Sequence, residues 1–484
     1  MQPRPEMKTP RTQSSQPSVV WYRRDLRVDD NPTLTAAVEF GGPVLPVFVW
    51  SPEEDEDWRP GPASRWWLRQ SLERLDEDLR QRNSGLIVLR GPVLKAISEL
   101  CRKTGARRVL WSRRYEPASI ALENQLAARL ADDNVETAQL ESTRLSSSRI
   151  LTGSGTPFQK FTPFYKQFLA KAVIEAPIPA PRSLPAFGQV NGDNQAVFGT
   201  IGPSRFPPDW EGASLWRPGS AAAHRRLETF LENHVSDYKD QHDRMDDASG
   251  TSHLSPHLSF GEISARRVWH MLEDTRETPG QKAFMRQLVW REFASHQLTE
   301  FPEITDRSLR GEFDALATSL DDDAFTAWKL GRTGYPVVDA GMRELAETGW
   351  MHNRARMVVA SFLIKHLALP WQWGAHWFWE NLVDADLANN SLNWQWVAGS
   401  AVDASPYYRI FNPQRQGARF DPTGDYVRRW VDELRSVSGS SVHGPRDGSE
   451  WNGIDYPEPI VEHESARQAA LDRYAAVRAH RKGA

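Results

Sequence analysis

The pattern that most restricts the fold of this chain is a change of periodicity near its middle. Up to about residue 145, short β-branched runs alternate with amphipathic stretches of helical spacing; the runs are Ser18-Val-Val-Trp-Tyr22, Val44-Leu-Pro-Val-Phe-Val-Trp50, Leu86-Ile-Val-Leu89 and Arg108-Val-Leu-Trp111. Strands that alternate with helices are joined by crossovers, which predicts a doubly wound, mainly parallel, Rossmann-like sheet. From Ala221 the spacing is helical, as in Gly341-Met-Arg-Glu-Leu-Ala346 and Arg356-Met-Val-Val-Ala-Ser-Phe-Leu-Ile-Lys365, and strand signals nearly vanish. That half is expected to be all-α. Between Ala176 and Pro218 the chain is rich in Pro, Gly and Ser, the composition of a long surface connection. The expected organisation is a disordered lead-in over 1–17, an α/β domain over 18–145, an interdomain connection over 146–220 and an all-α domain over 221–484.

Composition excludes several classes. No apolar run approaches membrane-spanning length and the first residues lack the apolar core of a secretory signal, so the expectation is a cytoplasmic protein without a membrane partner. The single Cys101 permits neither an internal disulfide nor an iron–sulfur cluster, and it reads as a helix-packing residue. The 13 histidines show no ligand spacing, so no metal site is expected. A net charge of -4 argues against coating nucleic acid non-specifically, yet leaves room for a local basic rim. The acidic run Glu53-Glu-Asp-Glu-Asp57 reads as a solvated loop and the basic C-terminal end as a frayed helix terminus. After Val20, Trp21-Tyr-Arg-Arg-Asp-Leu-Arg27 stands where a Gly-rich phosphate turn would be, so the usual dinucleotide fingerprint is missing.

The 20 tryptophans are the compositional anomaly, and seven of them fall between Trp350 and Trp396. In Asp384-Ala-Asp386-Leu-Ala-Asn389-Asn390-Ser-Leu-Asn-Trp394-Gln-Trp396, a helix would put Asp386, Asn390 and Trp394 on one face. A carboxylate, an amide and an indole in line, within so apolar a neighbourhood, suggest a cavity wall against a large planar, hydrogen-bonding ligand, and a flavin fits that description. Trp350, Asn353 and Met357 share a second face at i, i+3 and i+7, and Gln287 precedes Trp290 by three.

Several motifs then line up with one family. Thr251-Ser-His-Leu-Ser-Pro-His-Leu-Ser-Phe-Gly261, Trp290-Arg-Glu-Phe293, Gly334-Tyr-Pro-Val-Val-Asp-Ala-Gly-Met-Arg343, Gly349-Trp-Met-His-Asn-Arg-Ala-Arg-Met357 and the stretch from Asp384 to Trp396 resemble the photolyase and cryptochrome flavoproteins. With Trp21 to Arg27 the resemblance spans nearly the whole chain, and it is nearest to bacterial photolyases acting on cyclobutane pyrimidine dimers. It implies a folded-up FAD in the helical domain and light-driven electron transfer from reduced FAD to a dimer flipped out of UV-damaged DNA, single- or double-stranded, by a monomeric enzyme.

The resemblance also distributes roles. It implies FAD contacts from Tyr238 and from the hydroxyls of Thr251, Ser252 and Ser255, which would meet the phosphates, and further contacts from Leu254 and Arg291. Helix capping is the competing reading for the Thr and Ser residues. Arg356 and Asp384 match the pair beside the isoalloxazine, Asp386 the carboxylate on the ring N–H, and Asn390 the residue facing N5; by themselves Arg356 and Asp384 read as a structural ion pair, as most such pairs are. Trp290 and Trp396 resemble the indoles that wall the lesion. Asn353, assigned to both cofactor and lesion, and Met357 match its polar and apolar contacts. Arg244, Arg354 and Arg409 match positions near the DNA backbone. Trp394 and Trp371 match the inner members of a tryptophan relay. The usual outer member falls near Thr318, which makes Trp373, Trp377 and Trp379 the alternative exits. Glu116 resembles a contact to a light-harvesting antenna, either methenyltetrahydrofolate or a deazaflavin.

Gln287 stands where dimer photolyases usually carry a glutamate. Glutamine hydrogen-bonds a base but neither holds negative charge nor relays a proton. Glutamine there also resembles six-four photoproduct photolyases and some cryptochrome light sensors. The six-four enzymes need histidines where this chain has Asn353 and Met357, so dimer repair is the first expectation. A non-photochemical flavoprotein oxidoreductase is disfavoured because no nicotinamide fingerprint is present.

Overall fold

The computed structural model describes residues 16–188, 194–202, 215–401, 408–444 and 449–483; most of the expected lead-in, 1–15, lies outside the described residues. Five strands, β1 (Ser18–Tyr22), β2 (Val44–Trp50), β3 (Ile87–Arg90), β4 (Arg108–Ser112) and β5 (Glu136–Leu140), form one sheet in the order β3-β2-β1-β4-β5. Every pairing is parallel. Because side chains alternate across a strand, Val20, Tyr22, Phe48 and Val88 pack on one face with the helix Pro62–Arg80. Val19, Trp21, Val47, Val109 and Trp111 pack on the other with the helices Val93–Thr104 and Pro117–Asp132.

The strands all precede residue 141, and the helical half is built around one large apolar core. Its helices start on local signals. Thr278 accepts a hydrogen bond from Gln281 N at 3.0 Å ahead of Pro279, and Asp386 accepts one from Asn389 N at 2.9 Å, fixing the starts of Pro279–Glu300 and Leu387–Ala398. Gly349 and Gly399, at φ 66° and 90°, end the helices Pro336–Thr348 and Leu387–Ala398 in the left-handed conformation that glycine adopts without strain. Among the described residues, the segment expected as an interdomain connection carries the helices Phe161–Lys171 and Asn194–Ile201. The first docks Phe161, Phe164 and Phe168 into the helical core, burial that the Pro- and Gly-rich residues after it concealed.

The structure explains the missing phosphate turn. The residues after β1 are a suture between the two halves. Leu26 N donates to Phe260 O at 3.1 Å, and a Cβ on Gly261 would collide with the Arg24 carbonyl, so only glycine permits the approach. Arg27, 1% exposed, donates to Gly261 O at 2.9 Å, Asp30 O at 2.8 Å and Ser142 O at 2.9 Å. A buried guanidinium is tolerated only when its donors are satisfied in this way. Arg266 donates to Asp30 Oδ1 at 2.8 Å and Arg267 to Asp29 at 2.8 Å, adding two ion pairs to the seam. Glu262, fully buried, accepts from Trp67 Nε1 at 3.1 Å, Ser71 Oγ at 2.6 Å and Gly219 N at 2.7 Å, and also pairs with His257.

Candidate functional site

The loop from Asp384 to Asp386 and the helix after it carry one wall of the site. Arg356 Nη2 meets Asp384 Oδ2 at 2.8 Å, and Arg356 Nε donates to Met351 O at 2.8 Å, so the guanidinium is anchored at both ends. Asp384 is buried and its Oδ1 has no protein partner. Asp386 makes its cap through Oδ1, which also accepts from Asn389 Nδ2 at 2.7 Å. Asn390 donates through Nδ2 to Ala375 O at 3.0 Å, which fixes the orientation of its amide.

The loop Thr251 to Ser255 carries the hydroxyls assigned to the phosphates. The capping reading of its hydroxyls is not realised: Leu254, not a Ser or Thr, occupies the cap of the short helix Ser255–Ser259, without a side-chain bond. Thr251 Oγ1 is buried without a partner, Ser252 Oγ makes only a 3.4 Å contact with Leu254 N, and Ser255 Oγ accepts from Trp350 Nε1 at 3.1 Å. Tyr238 is buried edge-on against Phe284 with ring centroids 5.0 Å apart, and burial holds its phenol above the ordinary range. Arg291 is anchored through Nη1, which donates to Thr143 O at 2.7 Å beside Glu292, whose carboxyl burial pushes up to about 7.

Trp290 lies parallel to Phe161, with centroids 3.5 Å apart and 7° between planes, and edge-on to Phe293. Gln287 is exposed one turn earlier on the same helix, which packs against the helix bearing the half-buried Trp396. Asn353 is exposed at the first position of the helix Asn353–Ser361, and Met357 Sδ lies 3.6 Å from Arg354 Nη1. The expected shared face of Trp350, Asn353 and Met357 does not form, because Trp350 precedes the helix. Its indole instead backs the Thr251–Ser255 loop, 4.4 Å from the His253 ring. Asn353 and Met357 remain one turn apart on the same helix.

Of the three arginines assigned to DNA, Arg244 pairs with Asp246 at 2.5 and 2.8 Å, and Arg354 pairs with Asp243 at 2.6 Å over the Phe420 ring. Arg409 is exposed, and its carbonyl accepts from the buried Lys365, whose ammonium burial pushes down to about 7. Trp394 is buried edge-on to Phe378 at 5.0 Å, against Gly374, where a Cβ would strike its ring. Trp371 is buried and donates to Ser308 Oγ at 3.2 Å. Thr318 N donates to Ala368 O at 3.1 Å. Trp373 packs on Phe325, Trp377 lies under Lys329, and Trp379 donates to Arg59 O at 2.7 Å.

Glu116 lines a cavity of about 220 Å³ at the carboxyl ends of β1 and β2 that extends past β4 through Arg114 and Pro117, beside the switch point between β1 and β4 where strand order reverses. Sequence reasoning missed its other charged walls, Arg23, Arg24, Glu54, Asp55, Glu56, Arg114 and Asp306. The solvated-loop reading of the acidic run therefore fails for its middle. Glu54, Asp55 and Glu56 line this cavity, and Glu54 also accepts from Val93 N at 2.9 Å. Burial pushes Asp55 up to about 6 against the pull of Arg23 and Arg24. For Glu116 burial also opposes ionisation, but Arg114, Arg23 and Arg24 outweigh it and hold the carboxyl below its ordinary range. Among the described residues no group of His, Cys, Asp and Glu is arranged to hold a metal, and no helix is long and apolar enough to cross a membrane.

The unpaired Asp384 Oδ1 and Thr251 Oγ1 face a requirement that a flavin dinucleotide meets, since it brings ring N–H donors, ribose hydroxyls and phosphate acceptors together. Comparison with known proteins agrees. Residues 284–476 match the model of the FAD binding domain of DNA photolyase, and residues 18–182 that of DNA photolyase. A deoxyribodipyrimidine photo-lyase of Agrobacterium fabrum is 41% identical over 96% of this chain and 98% of its own length. Cryptochrome-1 of Arabidopsis thaliana is 36% identical over 93% of this chain and 69% of its own. The crystal structure of a bacterial class III photolyase from Agrobacterium tumefaciens superposes with a TM-score of 0.90 at 40% identity, covering 98% of this chain and 99% of that one. With an α/β sheet domain sutured to a helical FAD-binding domain, this chain belongs to the photolyase and cryptochrome family of flavoproteins.

Proposed function

We propose that this chain is a deoxyribodipyrimidine photo-lyase that repairs cyclobutane pyrimidine dimers in UV-damaged DNA under light, acting as a monomer. When bound, FAD supplies the light absorption and one-electron chemistry. The protein's part is to hold, orient and desolvate. Asp384, Asp386, Arg356 and Asn390 would grip the ring system, while Tyr238 and the Thr251 to Ser255 loop, Ser252 and Leu254 included, would hold the phosphate end. Arg291 would contribute from its anchored position. Trp290 and Trp396 would receive the unstacked dimer, with Gln287 and Asn353 on its polar edges and Met357 on its apolar side. Arg244, Arg354 and Arg409 would neutralise phosphates, which makes binding salt-dependent through counterion release; the first two must exchange a carboxylate for a phosphate to do so.

The observation that carries this reading is the Trp290 platform. Its ring is held rigidly parallel to Phe161 while an exposed amide, Gln287, stands one turn away. Aromatic platforms with a hydrogen-bonding neighbour suit unstacked bases such as the two linked pyrimidines of a flipped-out dimer. Trp394 and Trp371 would carry electrons inward, with Trp373, Trp377 or Trp379 as the outlet; time-resolved absorption of single Trp→Phe variants rejects any candidate whose loss leaves the long-lived tryptophanyl radical intact. The cavity holding Glu116 would seat the antenna pigment, methenyltetrahydrofolate or a deazaflavin.

The deciding experiment mixes photoreduced protein with an oligonucleotide bearing one thymine dimer, beside a dark control and a six-four lesion. Loss of the dimer in light alone is expected. Repair of the six-four lesion instead would move the chain to that class. No repair of either lesion, with flavin bound and reducible, would favour the cryptochrome-type sensor, the second reading that Gln287 supports.

A further inference from the structure

The cavity at the strand ends and the flavin loop are joined by one short polar path. Arg24 lines the cavity, lies with its guanidinium carbon 4.3 Å from the centre of the Phe260 ring, and donates through Nη1 to Ser259 Oγ at 3.3 Å. Ser259, itself buried, passes its own hydroxyl proton in a 2.9 Å hydrogen bond to the carbonyl of Ala385. Ala385 sits between Asp384 and Asp386, the two carboxylates assigned to the flavin. The path is enclosed: Gly261 lies against the Arg24 carbonyl, and burial holds Arg24 down to about 10 even though Glu116 and Asp386 are near enough to favour its charged form.

A carbonyl that accepts a hydrogen bond from a hydroxyl polarised by a cation is held more firmly than one solvated by water, because the donor is oriented and charge-assisted. The peptide on each side of Ala385 sets the direction of one flavin-facing carboxylate. We propose that Arg24 is a positioning residue for the FAD site, acting through Ser259 on the Asp384–Asp386 loop and thereby coupling the cavity to that loop. This rests on the reading that FAD is gripped by Asp384 and Asp386. No atom of Arg24 need touch the cofactor. A ligand entering the cavity would meet the far side of the same guanidinium, so occupancy of one site would be felt at the other.

The test measures the rate of FAD release from the holoprotein for Arg24→Met, Ser259→Ala and the double variant, with Arg24→Lys and Asp384→Ala alongside. Each of the first two should speed release roughly three- to tenfold, the worth of one hydrogen bond. The double variant should be no faster than the faster single, because both break the same path. Arg24→Lys should recover part of the loss, since the charge remains while a general packing defect would not be repaired. Multiplying effects in the double variant, or release unchanged in Ser259→Ala, overturns the proposal; Ser259→Ala alone suffices should Arg24→Met fail to fold. Unchanged release in Asp384→Ala would instead remove the underlying reading. Faster release there with none in the Arg24 and Ser259 variants would sink only the coupling.

Discussion

The two ligand-facing regions handle charge in opposite ways. At the strand ends the cavity's ionic groups satisfy one another: Glu116 pairs with Arg114, and Glu123 pairs with Arg23 from behind. In the helical half, buried polar atoms of two residues assigned to the flavin have no protein partner, namely Asp384 Oδ1 and Thr251 Oγ1. The cavity leaves two neutral atoms in the same state, Tyr22 Oη and Trp58 Nε1. An unsatisfied buried polar group costs about 1–3 kcal/mol and more when it is charged, so the second region, with a carboxylate oxygen open, has more to gain from what it binds. FAD should therefore contribute to the stability of the helical half, whereas an antenna pigment should add less to that of the sheet domain.

The largest effect expected from this difference is at Arg356. Replacing Arg356 by Ala leaves Asp384, already short of one partner, as an uncompensated buried carboxylate, a loss of about 3–5 kcal/mol. The purified variant should carry little flavin after gel filtration and unfold at a lower temperature. Full flavin retention would break the comparison, because Arg356 and Asp384 would then be an ordinary structural pair.

Next in size is the lesion platform. Trp290→Ala should weaken binding to a dimer-containing oligonucleotide by about 1–3 kcal/mol, with a smaller loss for undamaged DNA, measured by fluorescence anisotropy. Trp290→Phe should restore most of it, since the stack on Phe161 needs a ring rather than an indole. Gln287→Glu should leave binding nearly unchanged while raising the repair yield per absorbed photon, because a carboxyl supplies the proton or charge that the amide cannot. An unchanged yield would mean that Gln287 has no part in splitting the dimer.

Both halves of the fold were legible because periodicity is local: alternating strands and helices, then helices with recognisable caps. What escaped was set by distant partners. β5, Glu136-Thr-Ala-Gln-Leu140, carries no β-branched run and is a partly exposed edge strand, held by pairing with β4 rather than by its own pattern. The meaning of Arg23-Arg24-Asp25-Leu26-Arg27 depended on Phe260 and Gly261, more than two hundred residues away. The acidic run looked solvated because charge runs usually are, and only the fold turns Asp55 toward a cavity. The flavin wall fared better. Asp386, Asn390 and Trp394 do begin and line one helix, although Asp386 serves as its cap instead of a helical residue. Trp350 failed for the opposite reason: its spacing suggested a helix that Gly349 and the His352 cap delay to Asn353.

The smallest expected effect is at Asp55, and it tests whether the cavity's charges are as self-sufficient as their pairing suggests. Burial is the largest influence on Asp55 and raises its carboxyl to about 6, while the surrounding arginines pull the other way without prevailing. Between about pH 4 and pH 6 the folded state thus binds more protons at this site than the unfolded state, and folding stability falls as pH rises. The contribution is fully present below the unfolded value and gone once pH has passed about 6. Asp55→Asn removes the titration, so its unfolding midpoint should gain on that of the unaltered protein through this window and run parallel above it. The shift should be modest, since the side chain is partly open to solvent and screened. The opposite sign, with the unaltered protein gaining on the variant as pH rises, would mean that Arg23 and Arg24 hold Asp55 ionised. The cavity would then depend on that carboxylate much as the proposed flavin wall would depend on FAD.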